Sequence, residues 1–217
     1  LVQGNLVVVD QFNDRLERFT PDGTLIEVIG AGGGSAPGQF NRPFGVAIDA
    51  EGFLFVSDQN NQRVQVFTPG GRFVTQWPVF AGDAGGGPTG IAISPDGDVY
   101  VAGTVSNDIQ VFTRFGTRIG AFGSQGSGPG QFLFPINLAF DAAGNLYVGD
   151  RDNSMTKFDR CGRIVWKFNH GFEGDVWASP KILGDGTVVY AHDQTTDGIG
   201  VVTALHPADG SRKWFHV

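Results

Sequence analysis

Residues 39–68 read QFNRPFGVAIDAEGFLFVSDQNNQRVQVFT, and this stretch is the clearest of five similar copies in the chain. Its kernel is a glycine, an aliphatic alternation ending in Val-x-Asp, a polar gap and then Arg-Val-x-Val-Phe. The landmark that ends the second predicted strand of each copy recurs every 43 to 48 residues, at Asp10, Asp58, Gly103, Asp150 and Asp193. A period in this range is typical of repeat architectures, in which each copy forms one structural unit.

The copies predict strands and not helices. Val, Ile and Phe alternate with polar residues over short runs, and Gly, Pro, Asp or Asn bounds each run. In the second copy the predicted strands are 45–49, 54–58, 63–68 and 73–77, with hairpin turns at Glu51-Gly52 and Gly70-Gly71. Four antiparallel strands per repeat make one propeller blade, and stacked blades leave only short sheet edges. The sequence therefore predicts an all-β β-propeller of four-stranded antiparallel blades, with about five blades visible.

The repeated stretch resembles the NHL repeat. The resemblance is carried in the second copy by 37–40, Pro43, 45–49, Asp58, 60–61 and 63–67. The head recurs at 128–132 and the tail at 10–15, so the resemblance covers residues 1–174. The third copy departs from it at Gly103 and Asp108, and the fourth has Met155 where the Arg is expected. The resemblance implies a six-bladed propeller that is used for binding, with some enzymatic relatives.

The fifth copy is similar to a different family, the quinoprotein-type (PQQ-like) blade. Residues 175–180, 186–190 and 204–214 carry this likeness. It implies that Trp166 and Trp214, near the ends of last strands, dock adjacent blades. A single blade of this type does not imply a bound quinone, so we predict no quinone cofactor.

The copies predict one propeller domain over residues 1–217. Its blades are 1–38, 39–86, 87–130, 131–174 and 175–217, and the first lacks its innermost strand. The predicted total is nineteen strands, fewer than a six-bladed ring needs. We therefore expect this chain to be a component of a larger polypeptide or complex.

Composition narrows the possible partners. The net charge is −7, the pI is about 4.9 and only four lysines are present, so the chain lacks the basic surface that nucleic acid requires. One cysteine, Cys161, excludes an intramolecular disulfide, and no apolar run is long enough for a membrane-spanning helix. The low lysine content and the mixed repeats indicate a bacterial extracytoplasmic protein, either periplasmic or secreted.

The motif itself predicts a structural ion pair. Asp58 with Arg63, and Asp10 with Arg15, are placed to bridge the connection between second and third strands, and the intervening Asn is placed to cap it. If exposed, such a pair contributes about 0–1 kcal/mol.

Few residues in the chain are candidates for metal binding or catalysis. Related propeller hydrolases and lyases bind calcium or zinc at the axis, but at the mouths of the innermost strands only Asn137 is a plausible calcium ligand, with Glu173 and Asp175 nearby. His192 and Asp193 are adjacent on a strand and so point to opposite faces. We predict no catalytic residues and no resident metal, with calcium at the axis left open.

One rim of the propeller is the predicted binding surface, because inter-blade loops and loops between second and third strands meet there. It collects Arg42, Phe44, Gln59, Asn60, Thr89, Ser106, Asn137, Asp152 and Trp177. Amides and aromatics with little positive charge suit a protein or a small polar ligand. We predict a non-catalytic binding scaffold; the alternative is a metal-dependent lactonase, hydrolase or lyase with its site at the axis.

Overall fold

The computed structural model describes residues 4–79, 87–169, 179–194 and 199–216. Nineteen strands lie in these ranges and form five antiparallel sheets, one of three strands and four of four strands. Each sheet takes its strands in chain order. The predicted all-β fold with four-stranded blades is confirmed.

The strands of each blade run as follows. Blade 1 contains β1 Leu6–Asp10, β2 Arg15–Phe19 and β3 Leu25–Ile29. Blade 2 contains β4 Pro43–Ile48, β5 Leu54–Asp58, β6 Arg63–Phe67 and β7 Phe73–Pro78. Blade 3 contains β8 Pro88–Ile93, β9 Val99–Gly103, β10 Asp108–Phe112 and β11 Arg118–Phe122. Blade 4 contains β12 Pro135–Phe140, β13 Leu146–Asp150, β14 Ser154–Phe158 and β15 Ile164–Asn169, and blade 5 contains β16 Lys181–Ile182, β17 Val188–Gln194, β18 Ile199–Leu205 and β19 Arg212–His216.

The predicted strands agree closely with the structure. The landmark residue ends β1, β5, β9 and β13, at Asp10, Asp58, Gly103 and Asp150. The innermost strand of blade 2 begins two residues earlier than predicted, because Pro43 already pairs with Asp58 before a bulge at Gly45. The hairpin turn at Glu51-Gly52 forms as predicted, with Gly52 at φ +87°.

Successive blades pack face to face through apolar side chains. Leu16 and Ile29 of blade 1 pack against Leu54, Val56 and Phe67 of blade 2, and all five are at most 2% exposed. Similar clusters join blade 2 to blade 3, blade 3 to blade 4, and blade 4 to blade 5. The alternation along each strand therefore buries both sheet faces, which explains why apolar residues dominate the central strands.

Tryptophans dock two of these interfaces. The Trp77 ring lies against Gly116 in the outer turn of blade 3, and the Trp166 ring lies against Gly210 in the outer turn of blade 5. Trp166 also donates from Nε1 to the Pro207 carbonyl at 3.1 Å. Trp166 thus docks the next blade as predicted, whereas Trp214 is 45% exposed and the described residues do not cover it. No helix in the described residues has the length and hydropathy needed to cross a bilayer.

Candidate functional site

The predicted Asp58–Arg63 pair is present, and it is buried. Arg63 Nε donates to Asp58 Oδ2 at 2.7 Å, and the two side chains are 8% and 0% exposed. Asn61 Nδ2 donates to the same carboxylate and to the Gly34 carbonyl, both at 2.8 Å, so it joins the ion pair to the preceding loop. The blade 1 pair, Arg15 with Asp10, has the same geometry at 2.9 Å but is 39% and 24% exposed.

The buried pair also fastens the loop that leads into the blade. The Arg63 Nη atoms donate to backbone carbonyls of Ser35, Ala36 and Gln39. Gln65 accepts from the Gly38 N–H at 2.8 Å and donates to the Gln39 carbonyl at 2.7 Å. The tail of the repeat therefore binds the head of the same repeat, so these polar residues of the motif have a structural role.

In blade 4, different residues contact the equivalent aspartate, Asp150, and hold the loop that leads into the blade. Its loop between second and third strands is one residue shorter, so Ser154 and not Met155 lies opposite Asp150, and the prediction for Met155 was wrong. Met155 is fully buried between blades 4 and 5. The cation is supplied instead by Lys167 from β15, which donates to the carbonyls of Ser127 and Gln131.

Blade 3 reverses the charge at this position. Gly103 replaces the aspartate, and Asp108 stands where blade 2 has Arg63. The Asp108 carboxylate accepts from Ser106 Oγ and from Gln110 Nε2. A Cβ at Gly103 would collide with Ser106 and Asp108, so the glycine makes room for the displaced carboxylate.

Burial raises the pKa of Asp150, and the Ser154 hydrogen bonds and the Lys167 charge lower it to a smaller extent. The side chain is 1% exposed, and Lys167 Nζ lies 4.0 Å from its Oδ2. For an acid with a raised folded-state pKa, the unfolded chain ionises first as pH rises. The contribution of Asp150 to stability therefore falls as pH rises from the ordinary aspartate pKa of about 3.9 to the folded-state value.

Replacing Asp150 with asparagine should remove this dependence. Urea midpoints measured from pH 3.5 to 7 should show a smaller decline with rising pH for D150N than for the wild type, because asparagine does not ionise. Equal pH slopes for the two proteins would contradict the assignment.

The rim face is defined here as the loops 11–14, 41–42, 59–62, 104–107, 133–134 and 151–153. Two guanidinium groups stack on exposed aromatic rings there: Arg42 lies 5.0 Å from the centroid of Phe12, and Arg151 lies 5.9 Å from that of Phe134. Phe12 is 78% exposed and Phe134 is 38% exposed. The rim face thus presents paired aromatic and cationic groups to solvent.

Backbone geometry holds these pairs in place. Arg42 and Phe134 each precede the proline that starts an innermost strand, and both have positive φ, 52° and 53°. The Arg42 N–H donates to Asp14 Oδ1 at 2.6 Å, and the Phe134 N–H donates to Asn107 Oδ1 at 2.8 Å. Each acceptor belongs to the preceding blade, so the rim loops lock neighbouring blades together.

Of the predicted rim residues, Arg42 and Asn60 are exposed, and Phe44, Gln59 and Asp152 are half-buried. Asn60 Nδ2 donates to Asn41 Oδ1 at 3.0 Å, which places two exposed amides side by side. Trp177 lies outside the described residues. The sequence-based prediction of the rim did not include Phe12, Phe134 and Arg151. Two signals were available: Phe12 is an aromatic residue in the polar gap of its repeat, and Phe134 directly precedes Pro135.

Thr89 and Asn137 lie inside, where the innermost strands approach one another, and are 2% and 3% exposed. Thr89 Oγ1 contacts Thr104 Oγ1 at 2.6 Å, and Thr104 Oγ1 donates to the Pro135 carbonyl at 2.8 Å. Ser179 Oγ donates to Asn137 Oδ1 at 3.1 Å. These hydroxyl and amide groups join blades 3, 4 and 5 near the axis, and their predicted role in binding stays a prediction.

Near the axis, hydroxyl groups and backbone carbonyls form hydrogen bonds between neighbouring blades. Ser57 Oγ donates to the Thr89 carbonyl, which links blade 2 to blade 3. In the described part of the chain no three His, Cys, Asp or Glu side chains come together as a metal site. Glu173 and Asp175, considered above as ligands near Asn137, lie outside the described residues. His192 is 4% exposed and contacts Thr203 Oγ1 through Nε2 at 3.1 Å.

The fold and the rim define the class: a β-propeller of small four-stranded blades with a polar and aromatic rim. Residues 40–67 match the NHL repeat family model. Among proteins with curated functions, none is significantly similar in sequence to this chain.

Solved structures share the fold at low identity. A protein of unknown function from Bacteroides caccae aligns with a TM-score of 0.72 and 15% identity, over 98% of this chain and 77% of that one. Virginiamycin B lyase from Staphylococcus aureus aligns with a TM-score of 0.61 and 15% identity, over 79% of this chain and 54% of the lyase. A catalytically inactive variant of that lyase, in complex with quinupristin, aligns with a TM-score of 0.62 and 14% identity, over 93% of this chain and 72% of the variant. Identities this low support the propeller fold alone.

Proposed function

We propose that this chain is a non-catalytic NHL-type propeller that binds a protein or a small polar ligand through the rim face. The observation that carries the proposal is the pair of guanidinium–aromatic stacks, Arg42 on Phe12 and Arg151 on Phe134. Exposed aromatic and arginine side chains are the types that dominate binding energy at interfaces. The Phe12 ring is 78% exposed, so burial between the blades does not account for an aromatic residue at this position.

Charge and hydrogen bonding refine the kind of partner. Arg42 lies beside Asp14 and the Asn41–Asn60 amides, and Asp152 follows Arg151 in the chain, so the rim face offers hydrogen-bonding groups and charges of both signs. This surface suits a polar partner with carboxylate and amide groups, and it is a poor match for a polyanion given the net charge of −7. We place this binding in a bacterial extracytoplasmic setting, on the same composition argument as above.

The test is affinity capture with a double variant of the rim face, F12S/R42S. Partners from the source organism should be enriched by the wild type and recovered about tenfold less by the variant, because aromatic and arginine anchors contribute most of the energy. Its melting temperature should stay near that of the wild type, since surface substitutions change stability by about 0.5 kcal/mol or less.

The matched control is F115S/R118S, which removes the same residue types from the opposite end of the blades. Phe115 is 81% exposed, and Arg118 is exposed at the start of β11. This control should capture at wild-type yield. Equal recovery by F12S/R42S and the wild type would contradict a binding role for the rim face.

The second candidate is a metal-dependent hydrolase or lyase with its site at the axis, and calcium is the ion that an Asn137 ligand would favour. The fold similarity to virginiamycin B lyase supports it. Incubation with quinupristin, with and without Ca²⁺ or Mg²⁺, distinguishes the two. The binding proposal expects quinupristin to remain intact by mass spectrometry, whereas cation-dependent turnover that a chelator stops would favour the enzyme. The quinoprotein-type character of blade 5 belongs to neither candidate and remains a hypothesis.

A further inference from the structure

A cavity of about 340 Å³ lies between blades 3 and 4, away from the rim face. Aromatic and aliphatic side chains form one part of its wall and polar groups the rest; the lining includes Tyr100, Phe122, Phe140, Leu146, Phe158 and Gly120. Tyr100 and Phe140 meet edge to face with centroids 4.9 Å apart. Arg160, Cys161 and Gly162, from the outer turn of blade 4, complete the lining.

The equivalent position between blades 4 and 5 contains an indole. Strand register makes the correspondence explicit: Trp166 lies opposite Lys157 on β14, and Gly120 lies opposite Val111 on β10. Both pairs directly precede the same bulge at the end of the third strand. Gly120 therefore occupies in blade 3 the place that Trp166 occupies in blade 4.

The neighbours of that position correspond as well. The Trp166 ring lies 5.9 Å from the ring of Tyr147, and a Cβ on Gly210 would come within 2.5 Å of the indole. In blade 3 the counterpart of Tyr147 is Tyr100, whose ring lines the cavity. The counterpart of Gly210 is Gly162, and a Cβ there would meet nothing within 4 Å.

The other interfaces are also filled at this turn. A Cβ on Gly116 would come within 2.6 Å of Trp77, and one on Gly71 would come within 3.0 Å of Ile29. Among the four interfaces between described blades, the outer-turn glycine meets open space only at Gly162. The cavity therefore lies at the position that corresponds to that of the Trp166 indole between blades 4 and 5 and has the equivalent tyrosine in its wall, but Gly120 provides no side chain to fill it.

We propose that this cavity binds a neutral bicyclic aromatic molecule of about the size of indole. An aromatic wall offers offset or edge-to-face contacts to a flat ring, and apolar pockets with a few polar groups at the mouth are typical ligand sites. The proposal does not depend on the rim face or on either candidate function, because the cavity shares no residue with the rim.

Titration with indole itself, followed by NMR or calorimetry, tests the proposal. The wild type should bind indole saturably. In G120W the built-in side chain should occupy the cavity and weaken indole binding by about tenfold or more. Gly120 has room for a side chain and an ordinary φ, so G120W should keep a cooperative melt; G120L serves as a second filling variant with the same expectation.

The matched control is I119W, because Ile119 is the preceding residue, is 52% exposed and does not line the cavity. It adds the same indole without filling the cavity and should bind at wild-type affinity. A site-specific measurement comes from Cys161, the single thiol, which is exposed at the cavity mouth. Bound indole should slow its reaction with a thiol reagent in the wild type and not in G120W. The absence of saturable binding by the wild type, or binding by G120W and G120L equal to the wild type, would overturn the proposal.

Discussion

Replacing Arg63 with alanine is expected to lower the free energy of unfolding by about 3 to 5 kcal/mol, the range for a buried ion pair that loses one partner. Asp58 is 0% exposed in the wild type and would lose the Nε donor that now lies 2.7 Å from its Oδ2. The carbonyls of Ser35, Ala36 and Gln39 would also lose donors, which frees the loop leading into blade 2. Urea unfolding of R63A against the wild type gives the value directly.

Arg15→Ala is the matched control, because it removes the same residue of the same motif in blade 1. That pair is 39% and 24% exposed, so water can solvate Asp10 when the arginine is removed. The loss of stability in R15A should therefore be much smaller than in R63A. Similar losses in the two variants would show that burial of the pair does not determine its contribution.

Replacing Gly90 with alanine is expected to destabilise the fold by about 3 kcal/mol, at the upper end of the range for overpacking. A Cβ at Gly90 would collide with the Ile136 carbonyl oxygen and come within 2.9 Å of the Asn137 Cα, both in the innermost strand of blade 4. Backbone atoms of a neighbouring strand cannot rotate away as a side chain can. The methyl group would instead force blades 3 and 4 apart at the axis.

Gly120→Ala is the control in the same blade, since its Cβ would meet nothing within 4 Å and its φ is ordinary for any residue. Thermal melts should show a marked loss for G90A and little change for G120A. A melting temperature for G90A equal to that of G120A would contradict the close approach of the innermost strands.

The local pattern of the chain was sufficient to predict the blades. Alternation and turn glycines placed the strands of blade 2 to within about two residues, and the Asp58–Arg63 pair follows from the two strand ends that the connection joins. These features depend on neighbours in sequence. The burial of the Asp58–Arg63 pair could not be predicted from the sequence, because it depends on how the loop 34–41 folds back over the pair.

Features that depend on contacts between strands or blades could not be predicted. The loop between the second and third strands of blade 4 is one residue shorter than in blade 2, so Ser154 and not Met155 lies beside Asp150. The positive charge near Asp150 belongs to Lys167 on the adjacent strand. Thr89 and Asn137 were assigned to an open rim, whereas the close packing of innermost strands buries them. The cavity at Gly120 becomes visible only when the same position is compared across interfaces.

These results assign different roles to the repeated and the unrepeated residues. The repeated Asp, Arg and Gln side chains of blade 2 are occupied in holding a loop to its blade. The guanidinium–aromatic stacks of the rim face are not part of the repeated pattern and remain accessible. The central claim is that a partner binds at this rim face.

Amide hydrogen exchange of the wild-type chain, alone and with the partner recovered by capture, tests this claim most directly. Binding at the rim face should slow exchange in the loops 11–14, 41–42, 59–62, 133–134 and 151–153, and leave the opposite turns at 49–52, 94–97 and 141–144 unchanged. Protection confined to those opposite turns, with unchanged exchange in the rim loops, would contradict the account.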